Sequence, residues 1–262
     1  MLVFVIPLKS PKVAKSWSYV SGLFERCLRS VCNQSAAEFH AIVVCHERPQ
    51  IDFSDPRVSY IDVDFAVPDS RLNSLHRDKR RKVLTGLIRA RDYRPSHVMI
   101  VDADDCVSRR LSEYVARNPR SHGWYIENGY VYQDGSERIL FKGQNFYRWC
   151  GTCNIVRYDL LDLPPTPDDP RTVLLPFGHA RVKETLAVRG TPLAPLPFPG
   201  AVYVNSKHGE GTFARRTFFS KLKDAPRAVF HAPKLALLNL FESESLTDSI
   251  RAEFGLYPLE SQ

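Results

Sequence analysis

Val98-Met99-Ile100-Val101-Asp102-Ala103-Asp104-Asp105 decides the fold, because four apolar residues run directly into a turn in which three of four residues are acidic. A short apolar run of this kind reads as a strand buried on both faces, which is how strands of parallel sheets are built. Pro95 ends a helical pattern just upstream. In open α/β sheets ligands bind outside the carboxyl ends of the strands, so the three carboxylates stand where a site is expected.

Toward the N-terminus the same logic repeats. Residues 2 to 8 form an apolar run closed at Pro7. From Ser16 to Cys32, apolar residues at Trp17, Val20, Leu23, Phe24, Cys27, Leu28 and Val31 recur at helical spacing, with Ser16 suited to cap the start. Phe39 to Cys45 is a second apolar run, Val58 to Val63 a shorter alternating strand, and Arg71 to Tyr93 a helix directing Val83, Leu84, Leu87 and Ile88 inward. The resulting β-α-β-loop-β order predicts a parallel sheet with right-handed crossovers.

Toward the C-terminus, a helix around Leu111 to Arg117 precedes an aromatic- and glycine-rich stretch, Gly123 to Val156. That stretch predicts strands with turns at Asp134-Gly135 and Lys142-Gly143. Residues 162 to 176 are rich in Pro and Asp and read as a long loop, a lid or boundary. A helix from about Ala180 to Val188 ends at Gly190, Pro192 to Pro199 reads as a stiff connector, and Val202-Tyr203-Val204 as a strand. From Pro233 the tail reads as one or two amphipathic helices, and no internal repeat is present.

The 262 residues, 44% hydrophobic and 25% charged, match a globular chain and exclude a disordered or fibrous one. No apolar run approaches the roughly 20 residues needed to cross a bilayer. Leu2 to Ile6 is too short for a signal-peptide core. Six scattered cysteines without an export signal fit a reducing, cytoplasmic setting, with the inner face of the membrane as an alternative location. The net charge of +7 suits phosphate-bearing partners.

Two carboxylates one residue apart at a strand end can face a diphosphate, one through a hard cation and the other toward a ribose. Mg²⁺ or Mn²⁺ suits such oxygen ligands and would neutralise charge on a departing diphosphate. The competing reading is an acidic N-cap for the helix reaching Leu111. In the basic run His76 to Lys82, Lys79 and Lys82 share one helical face, either as a phosphate clamp or as a solvated surface. The run lacks the exposed aromatics or recognised module of a nucleic-acid site, so no nucleic-acid partner is expected.

Cys150-Gly151-Thr152-Cys153 has the spacing of a redox or zinc half-site but no second pair, which favours packing. Trp124, Tyr125, Tyr130, Tyr132, Tyr147 and Trp149 supply either core or a sugar-stacking platform. Tail residues Leu235, Leu237, Leu238, Leu240 and Phe241 can pack on the domain, join a dimer or lie on a membrane, and packing is preferred.

The series Phe4-Val5-Ile6-Pro7, helix, Ile42-Val43-Val44, helix with Gly86 and Ala90, then Val98 to Asp105 resembles the family 2 glycosyltransferases. The resemblance spans about residues 2 to 215. It implies a GT-A fold, a Rossmann-like mixed sheet flanked by helices, over 1–230, with a nucleotide-sugar half (1–108), an acceptor half (109–230) and a helical tail (231–262). It implies transfer of a sugar from a nucleoside-diphosphate sugar, a UDP-sugar first among them, to a glycan, glycolipid or polysaccharide hydroxyl. Asp102 would approach ribose or metal, Asp104 would bind the metal between the phosphates, and Asp105 would cap or support them. Pro7, Lys79 and Lys82 would line the donor site. Val202 to Thr212 looks like the family's tyrosine-rich strand followed by a histidine, which makes His208 the third metal ligand.

The chain departs from the family at two points. Cys45-His46-Glu47 stands where many members have a base-gripping aspartate. Phe177-Gly178-His179-Ala180 stands where inverting members have an acidic pair, which makes His179 either the general base or a helix-start residue. Glu127 is the second base candidate, ahead of Glu184 and Asp168-Asp169, so inversion and retention both stay open. A nucleotidyltransferase or phosphate-ester hydrolase, or a non-catalytic glycan- or nucleic-acid-binding protein on this scaffold, are the rival readings.

Overall fold

The structure is a computed structural model that describes residues 1–169, 178–206 and 243–259. His208 with Gly209 and Gly211, Phe177, and the tail residues Leu235 to Phe241 lie outside the described residues.

The first half follows the predicted order: β1 (Leu2–Pro7), α1 (Trp17–Cys32), β2 (Phe39–Cys45), β3 (Val58–Asp62), α2 (Leu72–Ala90) and β4 (His97–Ile100). Ser16 caps α1 by accepting the Tyr19 amide at 3.3 Å. All six residues of β1 are buried, as an apolar run without alternation requires of a central strand. Then come β5 (Cys106–Val107), α3 (Leu111–Arg117), β6 (Gly123–Tyr125), β7 (Gly129–Gln133), β8 (Arg138–Lys142), β9 (Asn154–Arg157), α4 (Val182–Val188), β10 (Ala194–Pro195), β11 (Ala201–Asn205), β12 (Ser243–Ser245) and α5 (Asp248–Phe254).

These strands form two sheets. The larger runs β10-β6-β9-β4-β1-β2-β3, with β3, β2, β1 and β4 mutually parallel and β9 antiparallel to both β4 and β6. The smaller runs β12-β8-β7-β11-β5. The Rossmann-like mixed sheet flanked by helices, expected from the sequence, is therefore the architecture of the chain. Gly86 lets α2 sit tightly on the larger sheet, since a Cβ there would lie 2.4 Å from Val5 Cγ1.

Helix α1 joins the two sheets. Phe24, Cys27, Leu28 and Val31 enter the main core, whereas Leu23 enters a smaller one with Cys106, Tyr132 and Val204. Arg26, fully buried on the same helix, donates to Asp134 Oδ1 at 2.8 Å, while Tyr19 donates to Asp134 Oδ2 at 2.7 Å. The α1 helix is thereby bolted to the β7–β8 turn.

Three segments differ from the sequence expectation. The Pro192–Pro199 connector carries β10, which pairs in parallel with β6. Ser243–Ser245, within the tail read as helical, is instead a strand antiparallel to β8, because an open edge offers backbone partners that side-chain pattern does not announce. Neither Asp104 nor Asp105 caps α3: β5 intervenes, and Arg110 is the N-cap. Among the described residues no helix is long and apolar enough to cross a membrane.

Candidate active site

The acidic turn is the crossing point between the sheets, leaving β4 of the larger and entering β5 of the smaller. The Asp105 amide donates to Asp102 O at 3.0 Å and closes it. Asp105 is fully buried, and its carboxylate gathers three donors. The Thr152 hydroxyl (2.6 Å) and the Cys150 thiol (3.1 Å) reach Oδ2, and the Val204 amide (3.1 Å) reaches Oδ1. Burial, then the like charges of Asp104 and Asp102, push the Asp105 carboxyl far above the usual carboxylate range. Asp105 is thus the turn's internal anchor.

The other two carboxylates belong to half-buried residues. Lys79, from α2, pairs with Asp102 Oδ1 at 2.5 Å. A Cβ on Gly151 would lie 2.7 Å from Asp102 Oδ2, so only glycine leaves room for the carboxylate on that side. Asp104 makes no hydrogen bond to another described side chain. Burial and the neighbouring Asp102 charge raise its pKa to about 6, against the pull of Lys79.

Lys82 has a different position from Lys79. Its ammonium is buried and donates to Leu8 O at 2.8 Å and Asp78 Oδ2 at 2.7 Å, fixing α2 to the end of β1 just beyond the buried Pro7. That internal ion pair removes Lys82 from the group of cations open to a phosphate, and Lys79 is the one of the two that reaches the acidic turn. His46 joins this buried cluster, 3.7 Å from Asp78 Oδ1, with its Nε2 at 3.0 Å from Phe65 O. Burial and the adjacent Lys82 lower its pKa.

Across the turn lies His179, in a short 3-10 turn entered through Gly178 at φ 69°. Its ring hydrogen-bonds the Arg148 backbone, and its carbonyl accepts from Asn154 Nδ2 at 2.9 Å. Nε2 is buried and has no hydrogen-bond partner among the described residues. Burial lowers the imidazole pKa, with Asp102 raising it and Lys79 lowering it, so the ring lies within the field of that ion pair. Glu127 follows β6, where Oε1 accepts the Asn145 amide at 3.1 Å and its carbonyl accepts the Phe146 amide. It therefore shapes the loop leading to Arg148. Asp168 is held by Arg81 at 2.6 Å, on the outer side of α2. Glu184 lies in the first turn of α4.

Trp124, Tyr125, Tyr132 and Tyr147 are buried, and Tyr130 is half-buried. Trp149, at 57% exposure, is the one of the six open to solvent, with Lys142 Nζ 4.9 Å from its ring centroid. Lys183 lies over Tyr125 and Tyr147, at 4.1 and 4.9 Å. All six cysteines are unpaired and buried, in accord with the packing role read for Cys150 and Cys153.

The grip of Cys150, Gly151 and Thr152 on the acidic turn escaped the sequence reading. The available signal was a glycine beside an apolar strand pattern, which marks a close backbone approach but does not name the partner. A separation of 47 residues between Thr152 and Asp105 follows no spacing rule.

Among the described residues no group of three or more His, Cys, Asp or Glu side chains is arranged to hold a metal. The donor chemistry of two hard carboxylates, Asp102 and Asp104, suits Mg²⁺ or Mn²⁺, whose remaining ligands would come from water and substrate phosphate, the usual pattern for these ions.

No family model and no curated protein sequence matches the chain. It is similar to S. aureus TarS 1–349 in complex with UDP, at 13% identity over 86% of this chain and 66% of that one, with a TM-score of 0.44. A structure of S. aureus TarS matches at 12% identity over 86% and 40% of the two chains, with a TM-score of 0.48. Francisella tularensis 2-C-methyl-D-erythritol 4-phosphate cytidylyltransferase matches at 12% identity over 86% and 99%, with a TM-score of 0.38. The chain spans less than two thirds of the length of the TarS chains.

Proposed function

We propose that this chain is a GT-A glycosyltransferase that moves a sugar from a nucleoside-diphosphate sugar, a UDP-sugar in the first instance, to a hydroxyl of a glycan, glycolipid or polysaccharide. The observation that carries the reading is the acidic turn: Asp102 and Asp104 stand outside the carboxyl end of β4, placed by a buried third carboxylate. In this reading the donor binds over 1–108 and the acceptor over 109–230.

Asp104 and Asp102 would hold Mn²⁺ or Mg²⁺, and the bound cation would neutralise charge on the departing diphosphate. His208, outside the described residues, is the proposed third ligand. Lys79 lies within reach of the same charge through its flexible stem. His179 is the proposed base. Its ring bonds a backbone carbonyl through Nδ1, since Nε2 is the nitrogen without a partner, and that arrangement leaves the Nε2 lone pair unshared. A lowered pKa keeps the ring neutral near pH 7, as a base requires. Trp149 offers an exposed face on which an acceptor sugar can stack.

The test is a thermal-shift panel of nucleoside diphosphates and nucleotide sugars with and without Mn²⁺, UDP being the first probe, followed by product analysis. Stabilisation that needs both ligands, and release of a nucleoside diphosphate that Asp104→Ala abolishes, are expected. Release of pyrophosphate would replace this reading with nucleotidyl transfer, and the absence of any stabilisation would leave a non-catalytic scaffold.

A further inference from the structure

We propose that Lys79 is a built-in counter-ion that competes with the divalent cation for Asp102, and that it moves to the diphosphate when cation and nucleotide bind together. This rests on the metal-dependent reading above.

The geometry supplies three reasons. First, the ammonium pairs with Asp102 Oδ1 at 2.5 Å, while Gly151 stands so near Oδ2 that a Cβ there would lie 2.7 Å from it. A cation approaching Asp102 therefore meets a carboxylate already paired with Lys79. Second, Asp102 and Asp104 lie two residues apart at the end of β4, while the buried Asp105 beside them has its oxygens engaged within the fold. Like charges at this spacing repel, and Lys79 offsets that repulsion when no metal does. Third, the Lys79 side chain is 47% exposed, whereas Lys82, one turn on, is locked by Leu8 O and Asp78. Lys79 can leave its partner at little packing cost. A phosphate brought in beside the metal gives the displaced ammonium a new anion, so the lysine ends paired in both states.

The consequence is a coupling between ligands. With metal alone, binding must break the Lys79–Asp102 pair without replacing it. With metal and nucleotide together the pair is exchanged and not lost. Nucleotide should therefore strengthen metal binding more in the native chain than in a chain lacking the ammonium.

The experiment is Mn²⁺ titration followed by the electron paramagnetic resonance signal of the free ion, on the full chain, with and without UDP. Lys79→Gln should bind Mn²⁺ alone about fivefold tighter than the native chain, the scale of one half-exposed ion pair. The enhancement of Mn²⁺ affinity by UDP should be smaller in Lys79→Gln than in the native chain. In an Asp102→Asn background, Lys79→Gln should tighten Mn²⁺ binding less than it does in the native chain, because the contested oxygen has lost its charge and only the field of Lys79 at Asp104 remains. Equal or weaker Mn²⁺ binding by Lys79→Gln, with Asp104→Ala still abolishing it, overturns the counter-ion proposal alone. Mn²⁺ binding that is undetectable in every chain, or insensitive to Asp104→Ala, overturns the metal-dependent reading and this proposal with it.

Discussion

The hydroxyl of Thr152 donates to Asp105 Oδ2 at 2.6 Å and at the same time accepts the backbone amide of Asp102 at 2.9 Å. One fully buried side chain thus ties both ends of the acidic turn to the segment preceding β9. Thr152→Val keeps the shape and removes both bonds, leaving a buried amide without its acceptor and a carboxyl without its shortest donor. A loss of about 1–3 kcal/mol in urea unfolding is expected, with Thr152→Ser recovering most of it. Equal stability of the valine and serine variants would show that packing, not the paired hydrogen bonds, holds the turn.

Gly151→Ala probes the same contact from the other side. Its added methyl would meet Asp102 Oδ2 at 2.7 Å, and Gly151 is not among the glycines with positive φ, so the backbone itself tolerates alanine. The carboxylate has to move. Binding of UDP with Mn²⁺ should weaken about tenfold or more, as displacements near 1 Å do at a charged site, while the melting temperature changes little. Calorimetric titration of both chains decides it, and unchanged affinity would mean that the position of Asp102 does not matter to the nucleotide.

The raised pKa of Asp104, about 6, predicts a particular slope of stability with pH. Between the unfolded value near 4 and the folded value, the folded chain holds a proton that the unfolded chain has lost. More protons bound in the folded state means that stability falls as pH rises through that window. Metal-free melts from pH 4 to 6.5 should therefore decline less steeply in Asp104→Asn than in the native chain. Parallel curves would show that the carboxyl titrates normally.

Arg26 and Asp134 are buried together between α1 and the β7–β8 turn, with Tyr19 on the second carboxylate oxygen. Arg26→Met strands the Asp134 charge in the interior and should cost about 3–5 kcal/mol in urea unfolding. Arg26→Met combined with Asp134→Leu should recover a large part of that loss, since the uncompensated charge is gone. A double variant as unstable as the single one would place the cost in packing around α1.

The periodicities of the first half were sufficient by themselves to establish its elements and their order. Strand β2, Phe39–Cys45, has the limits that its apolar pattern predicts, and Ser16 caps α1 as its side chain suggests. Local preference and burial pattern agree there, so sequence neighbours carry the information. The acidic turn was legible for the same reason, since its position follows from the strand that ends at it. What surrounds that turn was not legible. Lys79 and Lys82 share a helical face and a charge, yet one pairs with Asp102 at the acidic turn while the other is sealed against Leu8 O and Asp78. Which lysine meets which group depends on how α2 sits on the larger sheet, close to Val5 and Val44 at Gly86, a distance between elements that no sequence spacing encodes. Likewise Cys150, Gly151 and Thr152 look like ordinary packing until the chain returns beside β4 and sets them against Asp102 and Asp105. In the first half, chain pattern determined which residues form strands and helices. Which polar groups meet was decided only when burial left each of them a single place to find a partner.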